Sequence, residues 1–146
     1  VNDVATTPPP MSAHGDLRDG YGPALLDAAD PRMDAPELAA WTLASAAAFT
    51  APGVATLAYF EEWGPRGVFR ADGSSRPVTE AIEMLAALQG RVVATGGTAD
   101  GLVWAIRDVE AGEVVVANLD AADRVVRVGD AAVTVPALSW RRTAAS

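Results

Sequence analysis

The chain has 146 residues, enough for one ordinary domain or two small ones. Half of them are hydrophobic, so a core is available, while the net charge of −8 and a pI near 4.4 exclude the basic stripe that nucleic acid requires and oppose an anionic membrane surface. There is no cysteine, hence no disulfide and no thiolate metal site. No apolar run reaches the roughly 18 residues needed to span a bilayer. The first residues, Val1-Asn2-Asp3-Val4, lack the basic and apolar regions of a signal peptide. A cytoplasmic protein is the expectation. A start at Val1 rather than Met fits a chain that begins inside a longer protein.

Residues 1–29 read as loop. The run Thr6-Thr7-Pro8-Pro9-Pro10 cannot be helix interior, because each proline removes a donor and restricts its predecessor. Gly15, Gly20, Gly22 and Pro23 continue the punctuation. His14, the sole histidine, lies in this loop beside Asp16 and reads as a solvent-facing residue. Asp30-Pro31-Arg32 looks like a helix start, with Asp30 as cap and Pro31 at the first helical position. Pro36 a turn later moves the regular helix to begin near Asp34, a second capping candidate. Leu38, Trp41, Thr42, Ala48 and Phe49 mark a helical stripe, with Trp41 read as core, and the abundant alanine predicts close packing on a sheet. Ala51-Pro52-Gly53 stops this helix.

The stretch from Ala55 to Gly64 follows at once. Leu57, Tyr59 and Phe60 need a core, whereas Glu61 and Glu62 are costly to bury unpaired. It reads as a buried strand that delivers two carboxylates and the indole of Trp63 to a sheet edge, where α/β enzymes keep their sites; the alternative is a strand that runs out into solvent. Gly64-Pro65-Arg66-Gly67 is a turn, Val68-Phe69 returns to the core, and Asp72-Gly73-Ser74-Ser75 is another turn. Pro77 to Leu88 carries Val78, Ile82, Leu85 and Leu88 at helical spacing, with Thr79 or Ser75 as cap and Gly90 as stop.

At Arg91 the period changes. Residues 91–95, 102–106, 113–117, 124–128 and 132–135 are short β-branched runs between Gly-, Asp- and Ala-rich turns, and residues 138–142 make a sixth. Such spacing predicts an antiparallel sheet, sandwich- or barrel-like, with Val92, Val103, Val115 and Val126 on apolar faces. Trp104 and Trp140 read as sheet-packing residues. Asp100, Asp108, Asp120, Asp123 and Asp130 read as turn residues, since their spacing fits no calcium loop. The fold class is therefore α/β followed by all-β: residues 1–90 as the closing βα units of a TIM-type (β/α) barrel, and residues 91–146 as a small antiparallel β-sandwich-like domain. One such fragment cannot cover both faces of a parallel strand, and a full barrel takes about 250 residues. The expectation is a fragment of a larger protein.

The set Asp30-Pro31-Arg32, Ala40-Trp41-Thr42-Leu43, Tyr59-Phe60-Glu61 and Gly64-x-Arg66-Gly67 resembles the C-terminal part of D-apionate lactonase-like proteins. The resemblance covers roughly residues 30–90 and, more weakly, the tail. It implies a TIM barrel of glycoside-hydrolase type with a small β-domain, hydrolysing a sugar-acid lactone, and it matches Glu61 to the family's strand-end glutamate. The sequence departs from that pattern at Glu62, Trp63 and Pro65. On this reading Glu61 is the catalytic acid/base, and Tyr59, Glu62, Trp63 and Arg66 bind substrate: the indole as a stacking platform, the guanidinium as a carboxylate fork. The bland alternatives are an ion pair of Glu61 with Arg66 or Arg70 and a bridge from Arg66 to Glu62. Adjacent Glu61 and Glu62 should point to opposite sides of an extended segment, so they are not the carboxyl pair of a glycosidase. No cofactor and no metal are expected. The partners expected are a small sugar or sugar-acid substrate and an upstream barrel segment of the same parent protein, without which the chain is inactive. Two alternatives stay open: a TIM-barrel glycoside hydrolase, and a non-catalytic β accessory or binding module.

Overall fold

The computed structural model describes residues 30–144, so the loop of residues 1–29 and His14 lie outside the described residues. Asp30 caps a short 3-10 helix, Pro31–Asp34, by accepting from the Arg32 amide at 3.0 Å, with Pro31 in its first turn. Helix α1, Glu37–Phe49, follows, with Pro36 at its cap position and no side-chain cap. Asp34 therefore does not cap it; its carboxylate is held by Arg70 and Arg76. The buried face of α1 also differs from the predicted stripe. Ala39, Ala40, Thr42, Leu43, Ala44, Ala46 and Ala47 are buried, whereas Trp41 and Phe49 are exposed. The small side chains let the helix lie close against its neighbour and leave the bulky aromatics outside.

The largest correction concerns residues 55–64. Residues 54–60 form no strand, and the strand proper, β1, is Glu61–Trp63, exposed throughout. Its partner is β2, Gly67–Phe69, in parallel register, with Glu61 opposite Gly67 and Trp63 opposite Phe69. Leu57, Tyr59 and Phe60 are half-buried. Val68 is buried, as expected, in a cluster with Met33 and Val78.

Helix α2 spans Thr79–Ala86 and has no side-chain cap. Neither Ser75 nor Thr79 serves as one. The Thr79 hydroxyl donates to the Val68 carbonyl at 2.8 Å and accepts from the Arg76 amide at 3.1 Å, which joins β2 to the helix start.

All six predicted runs of the second half are strands: β3 Val93–Gly97, β4 Val103–Asp108, β5 Glu113–Asn118, β6 Arg124–Val128, β7 Ala131–Val135 and β8 Ser139–Ala144. Strands β3-β4-β5-β8 form one antiparallel sheet and β6-β7 a second, a hairpin. Strand β5 is buried on both faces. Val114 and Val116 pack with Val103, Val128 and Val135 toward the hairpin. Val115 and Ala117 face the helices, in a cluster with Ala40, Leu43, Ala81 and Met84 that Trp104 and Trp140 border. The alanine face of α1 thus lies on this antiparallel sheet. Val92 departs from expectation: it precedes β3 and is exposed. Among the described residues no closed barrel is formed, and no helix is long and apolar enough to cross a membrane.

Candidate functional site

A cavity of about 740 Å³ lies beside β1. Its walls are mostly apolar: Leu57, Phe60, Ile82, Leu85, Leu88 and Ile106 line it, with Tyr59, Glu61 and Glu62 among the polar residues. That size and balance match a small-molecule pocket, which uses apolar walls to exclude water and a few polar groups to orient its ligand. Helix α1 supplies Ala46 and Thr50, helix α2 supplies Ile82, Leu85 and Ala86, and the segment before β1 closes the remaining side.

The strand–turn–strand that presents the carboxylates is built on two glycines. Gly64 has φ +101°, a region that L side chains rarely adopt. Gly67 faces the backbone of Trp63 so closely that a Cβ there would lie 2.4 Å from the Trp63 carbonyl carbon. The Gly67 amide donates to the Gly64 carbonyl at 3.1 Å. The Gly64-x-Arg66-Gly67 spacing is therefore what lets β1 and β2 run in parallel with only three residues between them. Below this turn Asp34 accepts from Arg70 and Arg76, which ties the 3-10 helix to the chain on either side of the Asp72–Ser75 turn. The Arg76 and Arg70 guanidiniums hold the Asp34 carboxyl below its ordinary value. Arg76 is itself buried, and its Nε is a buried donor without a partner. Arg70 is thus committed to Asp34, the first residue of the sequence-based alternatives for Glu61 to be accounted for.

The predicted site residues divide into two groups. Glu61, Glu62 and Tyr59 all border the cavity. Glu61 and Glu62 share it despite the alternation expected of an extended chain, because β1 is only three residues long and lies at the rim. Tyr59 is fixed by its hydroxyl, 2.9 Å from that of Ser45 on α1, and burial pushes its phenol above the ordinary value of 10.0. Trp63 and Arg66 are not on the cavity wall. The Trp63 indole lies against Phe69, ring centroids 5.1 Å apart, and keeps an exposed face. Arg66 sits on the turn, half-buried, where its charge contributes to the lowered carboxyl of Asp30, behind the larger effect of Arg32. Sequence reasoning missed Ser45, whose only signal was a polar residue one turn beyond Trp41 in an alanine run. Among the described residues no group of three or more His, Asp or Glu is placed to hold a metal ion.

Residues 22–90 match the family model described as D-apionate lactonase, TIM barrel domain. Residues 22–90 are thus similar to that family, as the motif resemblance implied. No curated protein and no solved structure matches the chain.

Proposed function

We propose that residues 30–90 form the end of the barrel of a sugar-acid lactone hydrolase, with Glu61 as its acid/base. The family match carries this reading, because the segment it covers places Glu61 at the rim of a pocket. Lactone hydrolysis needs a proton taken from water as its oxygen attacks the ring carbonyl, and a proton returned to the ring oxygen as the C–O bond breaks. One carboxylate performs both transfers in turn, and such transfers contribute about 10²–10⁴-fold. Two exposed glutamates at the rim favour a neutral ligand over an anion. The neutral lactone enters, and the carboxylate product is repelled as it forms. Tyr59 and Glu62 contact the ligand from the cavity wall. Trp63 and Arg66 lie off the cavity wall, on the strand end and the turn, and are left outside this assignment.

The same reading assigns the partner of residues 54–60. Leu57, Tyr59 and Phe60 are only half-covered, and this stretch joins no sheet among the described residues. A parallel strand from an upstream barrel segment satisfies both the backbone and the apolar side chains. In the protein together with that segment, Glu61→Gln keeps shape and removes the titratable group. Its kcat on lactones is expected to fall about 10²–10⁴-fold, while Glu62→Gln falls much less. Wild-type turnover by Glu61→Gln on every accepted lactone would overturn the assignment.

A further inference from the structure

Tyr59 and Ser45 meet where α1 passes the segment before β1, their oxygens 2.9 Å apart. The helix fixes the direction of this bond. A serine hydroxyl has one proton and two lone pairs. Ser45 donates its proton to the Thr42 carbonyl, 2.9 Å away and one turn back. Its oxygen therefore accepts from Tyr59. The Thr42 hydroxyl does not compete, since it donates to the Leu38 carbonyl at 2.7 Å. A phenol also carries a single proton. With that proton directed at Ser45, Tyr59 offers the cavity lone pairs only.

We infer that Ser45 is a positioning residue that makes Tyr59 an obligate hydrogen-bond acceptor on the cavity wall, so that the pair selects a ligand by its hydroxyl group. This rests on the proposed role of the cavity as the substrate site. The carbonyl and ring oxygens of a lactone are acceptors and gain nothing from Tyr59. A ring hydroxyl is a donor and pairs with it. Tyr59 thus reads the polyol character of a sugar lactone and takes no part in polarising the carbonyl. A bare lactone leaves the phenol oxygen unpaired in a partly desolvated site, and that is how a polar group built into a pocket rejects an analogue lacking its partner.

Two neutral probes on the same ring test this on the 146-residue chain: erythronolactone, which is dihydroxy-γ-butyrolactone, and γ-butyrolactone itself. Binding is followed by ligand-observed NMR. The unsubstituted chain is expected to prefer the hydroxylated probe. Tyr59→Phe keeps the ring and should weaken that probe by roughly two- to tenfold, the worth of one neutral hydrogen bond, and leave γ-butyrolactone unchanged. Ser45→Ala should weaken the hydroxylated probe by a smaller factor. It should also lower the Tyr59 titration, because the neutral phenol loses the acceptor of its proton, read by tyrosinate absorbance in a Tyr21→Phe background where Tyr59 is the sole tyrosine. Ser45→Thr, which keeps a hydroxyl, should restore both readouts. Equal losses for the two probes, or a tyrosine titration that stays or rises in Ser45→Ala, would overturn the inference while leaving the cavity a ligand site. Binding of neither probe to the unsubstituted chain overturns the cavity as a lactone site, and the inference with it.

Discussion

Residues 91–144 and residues 54–69 treat their strands in opposite ways. In the first, six strands find their partners in two antiparallel sheets. Most of those partners are the next run along the chain, reached through a tight turn, so the sheet needs only short-range closure. In the second, a stretch with equally apolar side chains yields one three-residue parallel pair, and the residues before it join no sheet. The three-residue glycine turn joins β1 to β2, but any further parallel neighbour arrives by a crossover of a dozen or more residues. Apolar content alone does not make a strand. A partner at the right sequence distance does.

The comparison breaks first at the interface that joins the regions. Leu43 on α1 is fully buried against α2 and β5. Leu43→Ala is expected to destabilise the chain by about 2–5 kcal/mol. Because the cluster is shared, denaturation followed by circular dichroism and by tryptophan fluorescence should give one coincident transition. Two separated transitions would show that the regions fold independently.

Gly67→Ala sharpens the comparison by disturbing one region alone. The new Cβ meets the Trp63 backbone at 2.4 Å, and backbone does not yield as a flexible side chain does. A cost of about 1–3 kcal/mol is expected. Hydrogen exchange should rise for residues 61–69 and stay unchanged across β4 and β5. Faster exchange in both places would mean that β1–β2 supports the sheet.

Acid titration compares two carboxylates. Asp108, buried at the end of β4, accepts from the Ala111 and Glu110 amides and pairs with Arg91. The Ala111 amide foremost, with Arg91 and the Glu110 amide, holds its carboxyl below the ordinary 3.8. A lowered folded value means that this stabilisation is present above pH 3.8 and disappears as pH falls through the folded value. Asp108→Asn should therefore be less stable than wild type at neutral pH and converge with it in strong acid. Asp34 is lowered as well, by Arg76 and then Arg70, but is half-exposed, so Asp34→Asn should show the same convergence with smaller amplitude. Denaturant midpoints across the acid range measure both; a wild-type profile in Asp108→Asn would remove Asp108 from the account. The smallest effect belongs to Glu113, paired with Arg142 across β5 and β8 in an exposed position. Glu113→Gln should change stability by less than about 1 kcal/mol, and a larger loss would show that this surface pair pins the register of β8.

The sequence by itself determined the elements whose causes are local. The β-branched runs between Gly and Asp turns located six strands. The Asp30-Pro31 pair located a helical start, and Gly64 with Gly67 located a turn that only glycine fits. It also brought Glu61, Glu62 and Tyr59 together, because they are neighbours on one segment. Only the tertiary structure decided what is non-local. It placed the alanine face of α1 on the antiparallel sheet and turned Trp41 outward. It drew Asp34 away from a cap position to Arg70 and Arg76, which lie 36 and 42 residues further along the chain. It buried Asn118, whose side-chain amide donates to the Ala122, Val135 and Pro136 carbonyls and closes two loops at once. It also set Ser45 against Tyr59, 14 residues apart. Periodicity and turn chemistry act over a few residues and can be read along the chain. Which face meets which, and which way a hydroxyl proton points, depends on groups the chain brings together only when it folds.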